Sequence, residues 1–278
     1  MADGARVEVR VAGPAAADAR GPPLVLVHGS NHAAWCFAEK FQPFFAERDV
    51  QTISVSLRCQ GASEDVPHDG GKVAGTLESH AKDLAHIVGT LDKPAVLAGH
   101  SFAGLIVQEY VCRGSAKGFP PLAGAALLAS VPPEGNGPMV SRFLMRSPVA
   151  SAKITWAFVT KAFERDAGLA RDCFFSKDLP EEEVQRYVSL LATSSARRLL
   201  DLSALKDELP MPPPPADAPS VLVMGGRDDF VVDEQGVEDT AKAFGVEPVF
   251  LPGVAHDLML DTRWETAAGA LYEWYCDL

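Results

Sequence analysis

The sequence predicts an α/β fold in which a mostly parallel central sheet is flanked by helices. Strand patterns alternate with helix patterns through the first half of the chain, as in parallel sheets whose crossover connections are helical. Uninterrupted apolar runs at residues 24–27 and 123–129 are typical of strands buried on both faces. The same alternation returns after residue 219.

Within the first half, the strand patterns cover residues 7–11, 24–27, 50–57, 95–98 and 123–129. The helix patterns cover residues 35–45, 76–91 and 102–112, and Thr76 is a suitable N-cap for the second of them. This order builds one strand–helix unit after another.

A helical insertion interrupts the alternation. From residue 132 to about 209 the sequence shows helical patterns at 154–163 and 181–191 and no strand, and a proline-rich linker follows at 211–215. Strands at 220–224 and 248–251 and helices at 233–244 and 263–275 then complete the pattern. We therefore predict a core made of residues 1–131 and 219–278, with residues 132–218 inserted between two of its strands.

Composition and charge limit the function classes. The 278 residues are 47% hydrophobic and 22% charged, with a net charge of −12 and no run of Lys and Arg. Nucleic acid and anionic membranes attract basic surfaces, so neither is a predicted partner. No apolar span is long enough to predict an integral membrane segment.

Cysteine usage and the N-terminus predict a soluble intracellular protein. The five cysteines are dispersed and none form a C-x-x-C pair, which is typical of reduced thiols. The segment Met1-Ala2-Asp3-Gly4 lacks the basic-then-apolar layout of a secretory signal. Earlier removal of an organelle-targeting peptide stays open.

The most specific motif is Gly99-His100-Ser101-Phe102-Ala103-Gly104, which lies where a buried strand meets a helix. In this setting a sharp turn lifts a serine hydroxyl clear of the sheet and next to a helix N-terminus. The motif resembles the nucleophile elbow of the α/β-hydrolase superfamily, and the resemblance covers nearly the whole chain. It implies that Ser101 is the nucleophile. Ala103 departs from the usual G-x-S-x-G pattern.

The same resemblance implies the partners of Ser101. His256 lies between the strand at 248–251 and the last helix, in the loop that carries the superfamily's base. The orienting acid is Asp229 when counted from Gly226 and Asp228 when counted from Gly225, and we favour Asp229. Glu134 is the candidate if the acid follows an earlier strand. The chain order Ser, Asp, His is that of the superfamily.

The loop after the strand at 24–27 contributes further expected site residues. The superfamily pattern implies that the backbone N–H groups of Ser30 and Phe102 form the oxyanion hole. The segment 28–37 is similar to the H-G-x-x-x-x-x-W-x-W stretch of plant methyl esterases and hydroxynitrile lyases. Asn31, His32 and Trp35 are therefore candidate substrate-binding residues, although Asn31 and His32 fit an ordinary loop role equally well.

Two more segments extend the resemblance. Residues 54–63 resemble the superfamily's D-L-R-G-H-G-x-S turn, and Cys59 and Gln60 depart from that pattern. The same segments resemble those of plant chloroplast hydrolases. The expected compartments are therefore the cytoplasm and the chloroplast stroma. Residues 132–218 correspond to the cap that covers the nucleophile. The cap is rich in aromatic residues, and we expect Trp156 to contact an apolar substrate.

The resemblance implies a serine hydrolase that cleaves a carboxylic ester of a hydrophobic small molecule or lipid. No cofactor and no metal are predicted, and the sequence leaves the oligomeric state open. Three other reactions use the same fold and residues: hydroxynitrile lysis, C–C bond hydrolysis and cofactor-free perhydrolysis. A ligand-binding receptor with a slow triad is an alternative from a different class. Fold alone does not choose among these.

Overall fold

The computed structural model describes residues 1, 3–68 and 70–278, so Ala2, in the N-terminal stretch discussed above, and Asp69 lie outside the described residues. A seven-stranded sheet forms the centre, with strand order β1-β3-β2-β5-β6-β8-β9. Its strands are β1 (Val9–Ala12), β2 (Leu24–Val27), β3 (Thr52–Val55), β5 (Val96–His100), β6 (Gly124–Leu128), β8 (Ser220–Gly226) and β9 (Val249–Leu251), and β4 (Val73–Gly75) lies outside it. Only β1 runs antiparallel to its neighbour among these strands.

The predicted α/β class is confirmed, and most predicted helices are found close to their expected bounds. The helices are α1 (Trp35–Ala38), α2 (Phe41–Ala46), α3 (Leu77–Val88), α4 (Phe102–Arg113), α5 (Gly137–Arg146), α6 (Pro148–Thr160), α7 (Ala167–Phe174), α8 (Glu181–Ser194), α9 (Leu205–Glu208), α10 (Glu234–Phe244) and α11 (Trp264–Cys276), with short 3-10 turns at Ser115–Lys117 and Ala162–Glu164. The single helix predicted at 35–45 is divided into α1 and α2.

Both faces of the sheet are covered, which explains the uninterrupted apolar runs. Every residue of β2 is buried, with Leu24 and Leu26 in one core and Val25 and Val27 in the other. Successive side chains of a strand point to opposite faces, so a strand between two helical layers needs apolar residues at every position. α3 begins at a capping box formed by Thr76 and Ser79.

The segment between β6 and β8 is mainly helical, but the expectation that it contains no strand is wrong. Residues Arg198–Leu200 form β7, which pairs in parallel with β4 in a separate two-stranded sheet. Three residues are too few to show strand alternation, and the partner strand lies more than a hundred residues away. Within the described residues, no helix is both long enough and apolar enough to cross a bilayer.

The parallel strands determine where the site can form. β2, β5, β8 and β9 run in the same direction, so their carboxyl ends meet at one edge of the sheet. The loops that follow them carry Ser30, Ser101, Asp229 and His256. Ligands bind at this edge in open α/β sheets.

Candidate active site

Ser101 occupies a strained backbone turn between β5 and α4. Its φ is 57° and its ψ is −122°, a region that side chains other than glycine rarely adopt. Neighbouring strands and loops hold it there: the Ser101 N–H donates to the Leu128 carbonyl at 3.0 Å, and the Val131 N–H donates to the Ser101 carbonyl at 3.2 Å. The turn presents the hydroxyl at the N-terminus of a 12-residue helix.

Two glycines allow this turn to form. A Cβ on Gly99 would lie 2.4 Å from the Ala103 carbonyl oxygen, and a Cβ on Gly104 would lie 2.3 Å from Ser130 Oγ. Both separations are shorter than any real contact, so strand and helix approach closely only without these side chains. Ala103 is fully buried, and its small side chain is accommodated where the superfamily pattern has glycine.

His256 lies between Ser101 and Asp229. Its Nε2 is 3.1 Å from Ser101 Oγ, and its Nδ1 is 2.8 Å from Asp229 Oδ2. An ionised carboxylate only accepts, so Nδ1–H donates to Asp229 and the bare Nε2 accepts from the Ser101 hydroxyl. Ser101 and His256 are only 6% and 3% exposed, so this chain of hydrogen bonds is shielded from bulk water.

The three candidate acids lie in different environments. Asp229 is buried, and its Oδ1 accepts the Val231 and Val232 N–H groups at 2.6 and 2.9 Å, leaving Oδ2 for His256. Asp228 is exposed, and only its backbone N–H turns inward, to the Val254 carbonyl. Glu134 is also exposed. Of the three candidates, Asp229 is therefore the one whose carboxylate is placed to contact the His256 ring.

The charged groups around His256 favour its protonated form, although its burial opposes protonation. Burial lowers the pKa of the imidazole, but attraction to Asp229 and the hydrogen bond to it outweigh that effect. The Asp257 carboxylate adds a smaller attraction. The pKa of His256 is therefore raised above its ordinary value, as suits a group that takes up a proton.

Two backbone N–H groups are free to bind an anion near Ser101. Neither the Ser30 nor the Phe102 N–H donates a hydrogen bond to any described residue. A Cβ on Gly29 would lie 2.8 Å from Ser101 Cβ, so the loop that carries Ser30 packs directly against the serine. This arrangement has the donors that an oxyanion hole requires.

The predicted substrate-binding residues lie in different environments. Trp35 is 5% exposed, and its indole N–H donates to Ser194 Oγ at 2.7 Å. His32 is 1% exposed. Asn31 is half-buried with a φ of 67°, and Trp156 is 54% exposed on α6. Trp35 and His32 thus belong to the packed interior beside the site.

Sequence reasoning missed two polar residues next to His256. His100 Nε2 lies 2.9 Å from the His256 carbonyl oxygen, and Asp257 is fully buried. Burial, with repulsion from His256, lowers the pKa of His100 to about 3, so His100 is a neutral donor to that carbonyl. The sequence did contain a signal for these two residues, because His100 directly precedes Ser101 and Asp257 directly follows His256.

In the part of the chain that the structure describes, two clusters of histidine and carboxylate side chains have the spacing of metal ligands: His68, His80 and Asp83, and His100, His256 and Asp257. In the first cluster, Asp83 already accepts two hydrogen bonds from the Arg58 guanidinium, at 2.9 and 3.0 Å. In the second, both ring nitrogens of His256 are engaged. Neither donor set fits a metal ion without losing these bonds.

A cavity of about 510 Å³ opens beside Asp229. Its lining is polar, with six charged residues and one neutral amide: Arg142, Arg146, Arg227, Asp229, Asp233, Glu234 and Gln235. Arg142 forms a two-bond ion pair with Asp233 across it, at 2.7 and 2.8 Å. Ser101 and His256 do not line this cavity, so it is separate from the space where the hydroxyl would meet a substrate.

Comparison with known proteins identifies the family and the fold of the chain. A model of the Alpha/beta hydrolase family matches residues 24–270. Over 89 residues the chain is 34% identical to Methylesterase 1 of Arabidopsis thaliana, a match that spans only 30% of this chain and 30% of that relative. The esterase EaEST from Exiguobacterium antarcticum aligns with a TM-score of 0.70 at 19% identity, covering 98% of this chain and 96% of that one. A bromoperoxidase from Bacillus anthracis aligns at 0.68 and 17% identity, covering 99% and 96%. At these identities the two solved structures show a shared fold.

Proposed function

Because the chain belongs to the α/β-hydrolase family, we propose that it is a serine hydrolase that cleaves carboxylic esters of hydrophobic small molecules or lipids. The observation that carries the proposal is the continuous hydrogen-bond chain from Ser101 through His256 to Asp229. A serine hydroxyl is a weak nucleophile, and such a chain activates it.

In the proposed reaction, Ser101 Oγ attacks the ester carbonyl carbon while His256 Nε2 takes the hydroxyl proton. Asp229 keeps Nδ1 protonated and stabilises the imidazolium that forms. The N–H groups of Ser30 and Phe102 stabilise the oxyanion, each worth about 3 kcal/mol in sites of this kind. His256 then returns the proton to the departing alcohol, leaving an acyl-enzyme on Ser101.

Water completes the cycle by the same steps. His256 removes a proton from water, the resulting hydroxide attacks the acyl carbonyl, and the carboxylic acid leaves as Ser101 regains its proton. The proposed steps need no metal or cofactor, because His256 carries each proton between Ser101, the departing alcohol and the attacking water. The name of the Arabidopsis relative, a methylesterase, supports a small alcohol group as one substrate type to test.

A p-nitrophenyl ester series from acetate to palmitate, together with methyl esters of aromatic acids, tests the proposal. We expect turnover by the unaltered protein and its loss in Ser101→Ala. Ser189→Ala is the matched control, because Ser189 is exposed on α8 and bonds only within its own helix. The preferred acyl length would define the substrate class.

A covalent label provides a second readout. A fluorophosphonate should add once to the unaltered protein, and peptide mass mapping should place the adduct on Ser101. Absence of both turnover and labelling in folded protein would reject the hydrolase proposal. Labelling without turnover of any ester would instead favour a receptor that retains the triad.

A further inference from the structure

A second histidine–carboxylate pair lies directly behind the proposed triad. His32 lies in the loop of Ser30, and Asp257 follows His256 in the chain. Their side chains are 1% and 0% exposed, and His32 Nε2 is 2.8 Å from Asp257 Oδ2. The contacts that align Ser101, His256 and Asp229 do not include either residue, so the pair needs its own explanation.

The hydrogen-bond partners of His32 determine how many protons it carries. Its Nδ1 is 3.0 Å from the Ser30 carbonyl oxygen, and its Nε2 is 2.8 Å from Asp257. A backbone carbonyl and an ionised carboxylate accept hydrogen bonds but do not donate them, whereas a neutral imidazole has a single N–H. Both contacts are hydrogen bonds only if both ring nitrogens carry protons.

The Asp257 carboxylate and the face of the Trp35 ring both lie against the His32 ring. Burial raises the pKa of Asp257, but attraction to His32 and the hydrogen bond from it outweigh that effect, and the pKa is lowered. The Trp35 ring stacks on His32 at a centroid distance of 5.7 Å and an interplanar angle of 28°. The face of an indole ring is negative and attracts cations.

We propose that His32 and Asp257 form a buried imidazolium–carboxylate pair that positions the Ser30 loop relative to His256. This inference rests on the proposed function, because its consequence is the alignment of oxyanion donor and base. One end of the pair holds the Ser30 carbonyl, and the other end is joined to His256 through the backbone. His100 Nε2–H donates to the His256 carbonyl at 2.9 Å.

The pair also balances a charge that would otherwise oppose catalysis. Without His32, a buried carboxylate with no counter-ion would follow His256 in the chain and would favour its protonated form over the neutral base. Asp257 Oδ1 has no hydrogen-bond partner among the described residues, so His32 supplies its side-chain compensation. The titratable groups that act on Asp257 or respond to it are His32, His100, His256, Cys36 and Cys173.

Nitrogen-15 NMR of histidine-labelled protein tests the proton count without any turnover. We expect both ring nitrogens of His32 to be protonated at neutral pH, with the resonances assigned through their loss in His32→Gln. A His32 ring with only one N–H would overturn the proposal. If the protein hydrolyses no ester, the proposed function fails while this measurement still decides whether the ion pair exists.

The pH dependence of kcat/KM tests the positioning role. His32→Gln should move the acid limb to higher pH, because the uncompensated Asp257 favours protonated His256, and Asp257→Asn should move it to lower pH. The double variant carries a neutral Gln–Asn pair, so its limb should return towards the unaltered position. Each single variant should lower kcat about 10- to 100-fold, with a smaller change in KM, as expected for misplaced reacting groups.

A purely structural role predicts a different result. It would lower the melting temperature of the variants and leave the acid limb in place, and that outcome would overturn the positioning role. Melting curves and fluorophosphonate labelling of each variant report whether the fold and Ser101 are intact. If His32→Gln does not fold, the His32 resonances can be assigned in the unaltered protein through nuclear Overhauser contacts with the stacked Trp35 ring, and the NMR measurement then still decides the proposal.

Discussion

Replacing Asp229 with Asn should reverse the proton arrangement of His256. In the present structure, Oδ1 of Asp229 accepts two backbone N–H groups, from Val231 and Val232, at 2.6 and 2.9 Å. The carbonyl oxygen of an asparagine must keep that position, because its NH₂ group cannot accept. The NH₂ then faces His256 Nδ1, which becomes an acceptor, and the ring proton moves to Nε2.

A proton on Nε2 removes the base, since this is the nitrogen 3.1 Å from Ser101 Oγ. The same substitution also removes the charge that stabilises the imidazolium. In triads of this type the wrong tautomer lowers the rate by about 10³- to 10⁴-fold, equivalent to about 4–5 kcal/mol of transition-state stabilisation. We expect a loss of that size in kcat/KM for Asp229→Asn.

Asp228→Asn is the matched control, because it makes the same chemical change at the adjacent, exposed position. Its kcat/KM for the best p-nitrophenyl ester should stay within about threefold of the unaltered protein, as surface substitutions usually have small effects. Equal losses in the two variants, or a larger loss in Asp228→Asn, would refute the assignment of Asp229 as the orienting acid.

Three further predictions concern the base, the elbow and a helix cap. The kcat/KM should fall as pH is lowered, with a midpoint above the ordinary histidine pKa of 6.5, because the pKa of His256 is raised and its neutral form is the base. Gly104→Ala should destabilise the fold by about 1–3 kcal/mol in urea unfolding, because the new Cβ would lie 2.3 Å from Ser130 Oγ. Thr76→Ala should cost about 1 kcal/mol in the same assay, because the Thr76 hydroxyl oxygen caps the N-terminus of α3.

Each of these predictions has a result that would contradict it. An acid limb with its midpoint below 6.5 would mean that burial, not Asp229, dominates the pKa of His256. Gly269→Ala is the control for the elbow, since a Cβ there meets nothing within 4 Å and should not destabilise the protein. Equal unfolding free energies for Gly104→Ala and Gly269→Ala would reject the close approach at the elbow, and an unchanged value for Thr76→Ala would reject the cap.

Local sequence patterns predicted most of the core and failed where pairing was distant or elements were short. The bounds of β2 were predicted without error, because four consecutive apolar residues indicate a strand that is buried on both faces. β7 has three residues and pairs with β4 far away in the chain, so no local pattern marked it. The assignment of residues 132–218 as a cap that covers the nucleophile stays a prediction.

For the candidate site, too, some residues could be predicted from the sequence and others required the structure. Ser101 and His256 were proposed from an elbow motif and a loop position that resemble those of the α/β-hydrolase superfamily, and both can be recognised along the chain. Asp228 and Asp229 are neighbours with the same side chain, and only the turn that offers two N–H groups to Asp229 distinguishes them. Counting the spacing from Gly225 or Gly226 along the sequence cannot reveal that difference.

The sequence by itself predicted the fold class, which follows from the alternation of strand and helix periodicity. Its resemblance to the α/β-hydrolase superfamily, and not periodicity, pointed to Ser101 and His256 as the proposed nucleophile and base. Tertiary structure alone decided that His32 meets Asp257 across 225 residues and that Trp35 is packed into the interior. Both are contacts between loops whose mutual placement depends on how the whole sheet and its helices pack.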